Sequence, residues 1–500
     1  MTDAPAPRIS ASPLKLFNSL TRSLEIFEPV HPGVPGDPAQ PPEARVYSCG
    51  PTVYNYQHIG NMRAYVFADT LGRTLSFKGY ALRHIINITD VGHLTSDADV
   101  GDDKMEKAAA QKGKTAWDIA AFYTAEFKRD LDWLNVRGPA KWTVATDYVP
   151  RMIEFAKRIA DKHCYELDSG LYFDVSTVAD YGRLARAVTD EGEGRIEEVD
   201  GKRHAADFAI WRKTPLGETR QMEGDSPWGR GAPGWHLECS VMGEAELGMP
   251  FDIHTGGIDH REIHHPNEIA QNQAYRDCGS LDCAEHSGAR LWMHNNFLID
   301  RGGKMSKSAG EFLRLQLLVD RGYHPLAYRV MCLQAHYRSE LEFSWAGLGA
   351  ALTRLKRLVM AAAPVRDVEA TEPSDRRLAD LLAKFDAAMS DDLNTAVALT
   401  LLEEAAALKK IDAGQKRAAL AAVDAVLGLE LLTVDRTALR VRPKAATIAE
   451  DEIEAILVRR KDARAAKDFA ASDALRDELI AAGVEVMDGD PLGWEWRLDN

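Results

Sequence analysis

The apolar pattern of this chain changes period along its length. Arg45-Val46-Tyr47-Ser48-Cys49 is a short, mostly apolar run that predicts a strand. From Asn61 to Lys78 the apolar positions fall at helical spacing (Val66, Phe67, Leu71, Leu75), and Gly79 supplies the stop. Leu82 to Ile88, with Ile85, Ile86 and Ile88, returns to the density of a buried strand. Strand, helix and strand in so short a span predict a βαβ unit and a parallel sheet. Further strands are predicted at Phe251-Asp252-Ile253-His254, Leu291-Trp292-Met293-His294 and Asn296 to Ile299.

Between these halves the pattern loses regularity. Residues 92–103 are polar and acidic, an excursion at a strand end, and Gly and Pro are dense from Thr214 to Gly234. After about residue 345, Ala, Leu, Arg and Asp dominate at helical spacing (Val397, Leu401 and Leu408, with Ala405 between), which predicts a helical bundle. Asp391-Asp392-Leu393-Asn394-Thr395 supplies its turn and cap residues. The expected organisation is a lead segment (1–44), the first half of an α/β domain (45–141), an insertion (142–234), its second half (235–345), a helical bundle (346–440) and a small last module (441–500).

Composition narrows the class. Five hundred residues at 45% apolar can bury several cores. A net charge of −15 argues against coating nucleic acid by bulk attraction, though a local basic face remains compatible with it. The N-terminus lacks a basic region followed by an apolar core, and the most apolar stretch, Ala418 to Leu432, is broken by Asp424 and Glu430. A cytoplasmic protein with no membrane span is expected, and a monomer, since no dimerisation helix stands out. The 6 cysteines are scattered, which favours thiols or metal ligands over a disulfide frame.

Three constellations carry candidate chemistry. His58-Ile59-Gly60-Asn61 falls at the strand-to-helix turn, where backbone N–H groups favour an anion. Gly60 would let a nucleotide approach, and His58 could donate to a phosphate oxygen. Lys304-Met305-Ser306-Lys307-Ser308 follows a glycine pair and a predicted strand. Two ammonium groups and two hydroxyls there suit a triphosphate. Together the two segments resemble the signature motifs of class I aminoacyl-tRNA synthetases. The third constellation combines Cys49, Trp235-His236-Leu237-Glu238-Cys239, Gly256-Gly257-Ile258-Asp259 and His264-His265-Pro266-Asn267-Glu268. His264 and Glu268 share a helix face if a helix runs there. Two thiolates, an imidazole and a carboxylate are a donor set zinc accepts. On spacing alone, two buried thiols and a surface His/Glu pair fit better.

This arrangement closely resembles the cysteinyl-tRNA synthetases, from about Leu14 to Trp496. The resemblance implies a Rossmann-type parallel-sheet catalytic domain with an inserted connective domain, a helical bundle and a C-terminal anticodon-binding module. It implies ATP-dependent activation of L-cysteine and transfer to tRNA(Cys). Cys49, Cys239, His264 and Glu268 match the ligands of one zinc ion per subunit, which binds the substrate thiolate. Gly50, Thr89 and Trp235 match the cysteine pocket. His58, Gly60, Asn61, Asp259 and Lys304 to Ser308 match the ATP site, with His58, Lys304 and Lys307 catalytic and Mg2+ accompanying ATP. Arg464, Phe469, Asp473, Arg476 and Asp488 match the anticodon contacts.

The chain also departs from the family pattern. Asn61 stands where the class-wide motif usually has histidine, residues 258–263 are more polar, and Pro266 interrupts the His/Glu segment. Cysteine:glucosaminyl inositol ligases of the mycothiol pathway share the zinc set but lack a full anticodon-reading tail. A non-catalytic tRNA-binding paralogue would show eroded signatures. Cys278 and Cys283 read as structural or incidental. His84, His93, His254, His286 and His294 read as core or surface residues, and Trp494 and Trp496 as packing.

Overall fold

The computed structural model describes residues 12–91, 104–185, 201–278, 286–300, 303–304, 313–490 and 492–498. The acidic excursion at 92–103, His93, Cys283 and the segment Met305 to Ser308, Lys307 included, lie outside the described residues.

A five-stranded parallel sheet organises the chain. Its spatial order is Ala289–Asn295, Phe251–Gly257, Glu43–Ser48, Ala81–Ile88, Lys141–Val144. The three central strands are buried toward their C-terminal ends because both faces are covered there. Ile85 to Ile88 and Phe251 to Gly256 are buried throughout. The strand Glu43–Ser48 has a later strand on each side, so the strand order reverses at its C-terminal end. That is where ligands bind in open α/β sheets, and Cys49 is the next residue.

The edge strand Lys141–Val144 pairs with Ala81–Ile88, so a boundary drawn between residues 141 and 142 passes through it. Four residues with a half-buried pattern leave little periodicity to read. The insertion that follows forms a separate four-stranded antiparallel sheet from Cys164–Leu167, Gly170–Phe173, Phe208–Lys213 and Gly231–Pro233.

The helix after the first strand spans Ile59–Phe77, two residues earlier than its apolar spacing indicates. His58 is its N-cap, in extended backbone. The His58 ring accepts from the Asn61 N–H, and the Asn61 side chain accepts from the His58 N–H. This reciprocal pairing satisfies helix-end donors in the way a Ser/Glu box does, with residue types that carry no such signal.

Side-chain hydrogen bonds tie the lead segment to the rest of the chain. Its hairpin, Lys15–Asn18 with Ser23–Ile26, is clipped to the sheet edge by Asn18, which donates to the Arg290 carbonyl at 3.0 Å. Asp392 accepts from the Phe17 N–H at 2.9 Å, from the Tyr337 hydroxyl at 2.7 Å and from Arg338 at 2.7 Å.

The bundle contributes the helices Trp345–Ala362, Arg376–Ser390, Thr395–Ala407 and Ala413–Leu427. Asn394 caps the third of them, as the turn residues indicate. Leu401 and Ala405 face the core, but Val397 is exposed. Arg329 joins the bundle to helix Ile59–Phe77. Its fully buried guanidinium donates to Asp69 at 2.6 Å, to the Leu427 carbonyl at 2.7 Å and to the Leu134 carbonyl at 3.0 Å. A buried charge so fully paired is tolerated, whereas removing one partner costs about 3–5 kcal/mol.

The last module packs the helices Glu450–Ala465 and Phe469–Ala481 against a two-stranded sheet, Val484–Val486 with Trp494–Trp496. Its core includes Ile453, Ile456, Leu479, Trp494 and Trp496, so both tryptophans are packing residues. Arg440 lies 3.7 Å over the Trp494 ring. No described helix is long and apolar enough to cross a membrane.

Candidate active site

A cavity of about 300 Å³ opens at the strand-order reversal. Cys49, Gly50, Trp235 and Asp259 line one part of it, and His58, Gly60 and Asn61 another. Two segments predicted from sequence thus share one space because parallel strands end on the same side of a sheet.

Beneath the cavity lie the other proposed metal ligands. Cys239, His264 and Glu268 are 3%, 2% and 1% exposed, so they do not form a surface pair. Cys239 comes from the helix Trp235–Leu247 and the other two from His264–Tyr275. The latter helix starts at His264, which leaves Pro266 in its first turn, where a missing N–H costs nothing. One donor atom from each of Cys49, Cys239, His264 and Glu268 falls within 4.8 Å of the rest. Atoms bonded to one zinc at about 2.0–2.3 Å would be separated by no more than this. Glu268 Oε1 sits 2.9 Å from His264 Nε2, one helical turn apart on the same helix.

The electrostatics are those of a crowded donor set lacking a counter-charge. The adjacent Cys49 thiol and burial push Cys239 well above the ordinary thiol range. Burial raises Cys49 as well. Burial works against both charged forms of the His264/Glu268 pair, yet each stabilises the other. Glu268, with Cys239, lifts His264 to about 10, and His254 and His264 hold Glu268 at about 2.

Around these four stands a histidine cluster that sequence reasoning missed. His254 Nε2 is 2.9 Å from Glu268 Oε2. His265 Nε2 is 3.3 Å from the Cys49 sulfur, and its Nδ1 is 2.7 Å from His294, which reaches Ser19 at 2.8 Å. His236 is 2.9 Å from His264. His254 and His294 are core residues, as expected, but they belong to the surroundings of the site. Cys49, His254, His265 and Glu268 form a second group within 4.8 Å. That group has one thiol where the first has two, and His254 and His265 stand beside Glu268 and Cys49, residues common to both groups. The available signal was that alternate residues of predicted strand ends, such as His254 and His294, share a face.

Glycines shape the floor. A side chain on Gly50 would overlap the Asn87 carbonyl, while the Asn87 side chain accepts from the Gly50 N–H at 2.7 Å. A Cβ on Gly60 would lie 2.9 Å from the His58 ring, so this glycine admits the capping imidazole. Close approach of a nucleotide is therefore not its only reason. Thr89 does not line the cavity. Its hydroxyl donates to the buried Glu238 at 2.7 Å and accepts from Asn87 at 3.1 Å. It stands behind the wall, one side chain from Gly50. Trp235 begins its helix with its ring 4.3 Å from that of His264, closing the cavity over the donor set.

In the last module, Arg464, Phe469, Asp473, Arg476 and Asp488 are all exposed. Arg460 grips Asp488 through two bonds of 2.7 and 2.9 Å, and Arg464 lies 3.2 Å from it. Lys304 belongs to a two-residue strand, Gly303–Lys304.

Residues 36–353 match the model of the class I (C) tRNA synthetase catalytic domain, and residues 449–497 that of the cysteinyl-tRNA ligase anticodon binding domain. A cysteine–tRNA ligase of Novosphingobium aromaticivorans is 70% identical, covering 99% of each chain. One from Zymomonas mobilis is 52% identical over 97% of this chain and 98% of its own. The chain belongs to the cysteine–tRNA ligase family. It is a class I aminoacyl-tRNA synthetase, and the anticodon-domain match disfavours a sugar-amine acceptor. Among solved structures, Mycobacterium tuberculosis methionyl-tRNA synthetase with methionyl-adenylate shares the fold at a TM-score of 0.51 and 15% identity, over 78% of this chain and 90% of that one. The LeuRS of an Agrobacterium radiobacter K84 ternary complex does so at 0.53 and 13%, over 85% and 93%.

Proposed function

We propose that the cavity activates L-cysteine with ATP, one end holding the thiol and the other the phosphates, and that the same site then charges tRNA(Cys). The observation that carries this reading is the convergence of Cys49, Cys239, His264 and Glu268 beneath a cavity shared with the N-terminus of helix Ile59–Phe77. Zinc held by these four residues would bind a soft thiolate in preference to the hydroxyl of a near-isostere. An apolar pocket would separate cysteine from near-isosteres by only about 1–3 kcal/mol.

The chain's own groups do the rest. Gly50 and Trp235 bound the cysteine end. The helix N-terminus draws the phosphates toward Gly60. His58 Nδ1 accepts from the Asn61 N–H, which in the neutral ring leaves the proton on Nε2 for donation to a phosphate oxygen. Asp259, at the rim, would contact the adenosine or the amino group. Lys304 and Lys307 would neutralise the charge that grows on the triphosphate, with Mg2+.

The cysteine carboxylate attacks the α-phosphorus. A P–O bond forms, the bond to the β-phosphate oxygen breaks, and pyrophosphate leaves. The terminal ribose hydroxyl of tRNA then attacks the adenylate carbonyl, giving the ester and AMP. Positioning supplies most of the rate, so no dedicated acid–base pair is required. We assign the reaction to a cytoplasmic monomer with Arg464, Phe469, Asp473, Arg476 and Asp488 reading the anticodon.

The test is zinc content and cysteine-dependent ATP–pyrophosphate exchange in the purified protein. One zinc per chain and exchange abolished by Cys239→Ala and by Lys307→Ala are expected. Metal-free protein with full exchange, or exchange indifferent to both changes, refutes the assignment.

A further inference from the structure

Helix Ala116–Trp133 carries two exposed aromatic rings, of which Phe122 connects to the catalytic cavity. Phe122 is 41% exposed and Trp117 53%. Exposed apolar side chains rimmed by polar groups are the kind of surface that binds a partner. The route from cavity to patch is continuous. Tyr56 lines the cavity, its ring meets Phe122 edge-on at 6.1 Å and Tyr123 at 5.0 Å, and Arg314 lies 4.5 Å over it.

Ammonium groups stand over two rings of this helix. The Lys114 ammonium sits 5.6 Å over Phe122 and that of Lys112 4.5 Å over Tyr123. The nearby acids are tied to other groups, though Asp118 keeps its charge. Asp118 accepts from the Thr115 N–H and hydroxyl, and Glu126 pairs with Arg129 at 2.9 Å. Flat rings interleaved with ammonium groups suit unpaired nucleotides, whose bases stack and whose phosphates seek cations.

We propose that Phe122 and Trp117, with Lys112 and Lys114, dock the unpaired 3′ end of the tRNA and guide its terminal ribose into the cavity. The proposal rests on the chain's being a tRNA ligase. It is the single-stranded terminus, not the paired stem, that must pass the rim to bring its hydroxyl to the adenylate. A base stacked on Phe122 would stand one aromatic ring, Tyr56, from the cavity.

The experiment uses the full chain with tRNA(Cys) and tests Phe122→Leu, Trp117→Leu and the double variant, which keep apolar volume but remove the flat face. A thermal unfolding curve for each variant records that the fold persists. The expected result is a KM for tRNA raised about tenfold in the double variant, a factor within the range for one lost base stack. Cysteine-dependent ATP–pyrophosphate exchange, which needs no tRNA, should change less than about twofold. The same proteins are then compared for equilibrium binding of tRNA without its unpaired 3′ nucleotides. There the difference between wild type and variant should vanish. A second set, Lys112→Gln with Lys114→Gln, should flatten the dependence of tRNA binding on salt, lowering the log–log slope by about 0.7 for each phosphate no longer neutralised. Unchanged KM for tRNA in the double variant overturns the proposal. So does a binding deficit that persists with the shortened tRNA, which would place the rings against another part of the tRNA, or a parallel fall in exchange, which would make the rings supports of the cavity. Absence of any charging by wild type would instead defeat the ligase reading itself.

Discussion

The floor of the catalytic cavity and the last module solve recognition in opposite ways. At the floor, every proposed metal ligand but Cys49 is almost fully buried and answers to another side chain. Cys239, His264 and Glu268 are at most 3% exposed, with His236, His254 and His265 touching them or their neighbours. In the last module all five candidates face water, and Phe469 is 65% exposed. The difference follows from the ligand. A thiol is small and is told from a hydroxyl by one bond, so its site must be dry, rigid and finished before the substrate arrives. Unpaired bases bring their own stacking surface and charge, so an open, hydrated face suffices.

The contrast can be broken from either side. The largest effect should come from Cys239→Ala. Loss of bound zinc should leave discrimination between cysteine and serine at what an apolar pocket can provide, about 10–200-fold, measured by exchange with each amino acid. Full discrimination without metal would mean the floor does not work through its sulfurs. Next is His254→Ala, which removes the partner of Glu268 Oε2 but no proposed ligand. Zinc affinity should fall about 10–100-fold, read by chelator competition. Complete loss would make His254 a ligand and favour the second group of donors.

Phe469→Ala should weaken tRNA binding by about tenfold, one stacked base, and leave cysteine-dependent exchange intact. An equal fall in exchange would show that the two regions are not separable. The smallest effect concerns pH. Arg460 holds the Asp488 carboxyl below the usual range. A depressed acid contributes stability that is complete above its ordinary pKa, near 3.9, and is lost as pH falls through the lowered folded value. The difference in thermal midpoint between wild type and Asp488→Asn should therefore disappear in acid, and shrink in high salt because Asp488 is exposed. A difference unchanged by acid and salt would mean that the pair behaves as a buried one.

Much of this was legible in the residues. The βαβ unit announced itself by period, and Cys49, Cys239, His264 and Glu268 by the family pattern they match. The surrounding imidazoles were not legible, because His254 and His294 sit in strands whose apolar neighbours make any polar residue look incidental. Asn61 was legible only as a departure. Its pairing with the His58 N–H needs the helix to begin at Ile59, and helix starts are read from residue types that His and Asn at these positions do not match. Lys141–Val144 was too short to show which sheet it would join.

By itself the sequence determined the kinds of donor, their order along the chain and the parallel sheet that carries them. Residue type and period are local properties, and a one-dimensional pattern records them fully. Only the tertiary structure decided which side chains meet. Cys49 and Cys239 are separated by the whole insertion, and the register of Glu43–Ser48 against Phe251–Gly257 aligns Ser48 with Thr255 and so sets what lies beneath Cys49. A slip of one residue would exchange the faces of every side chain in the strand. The packing of the buried core selects one register, and with it one site.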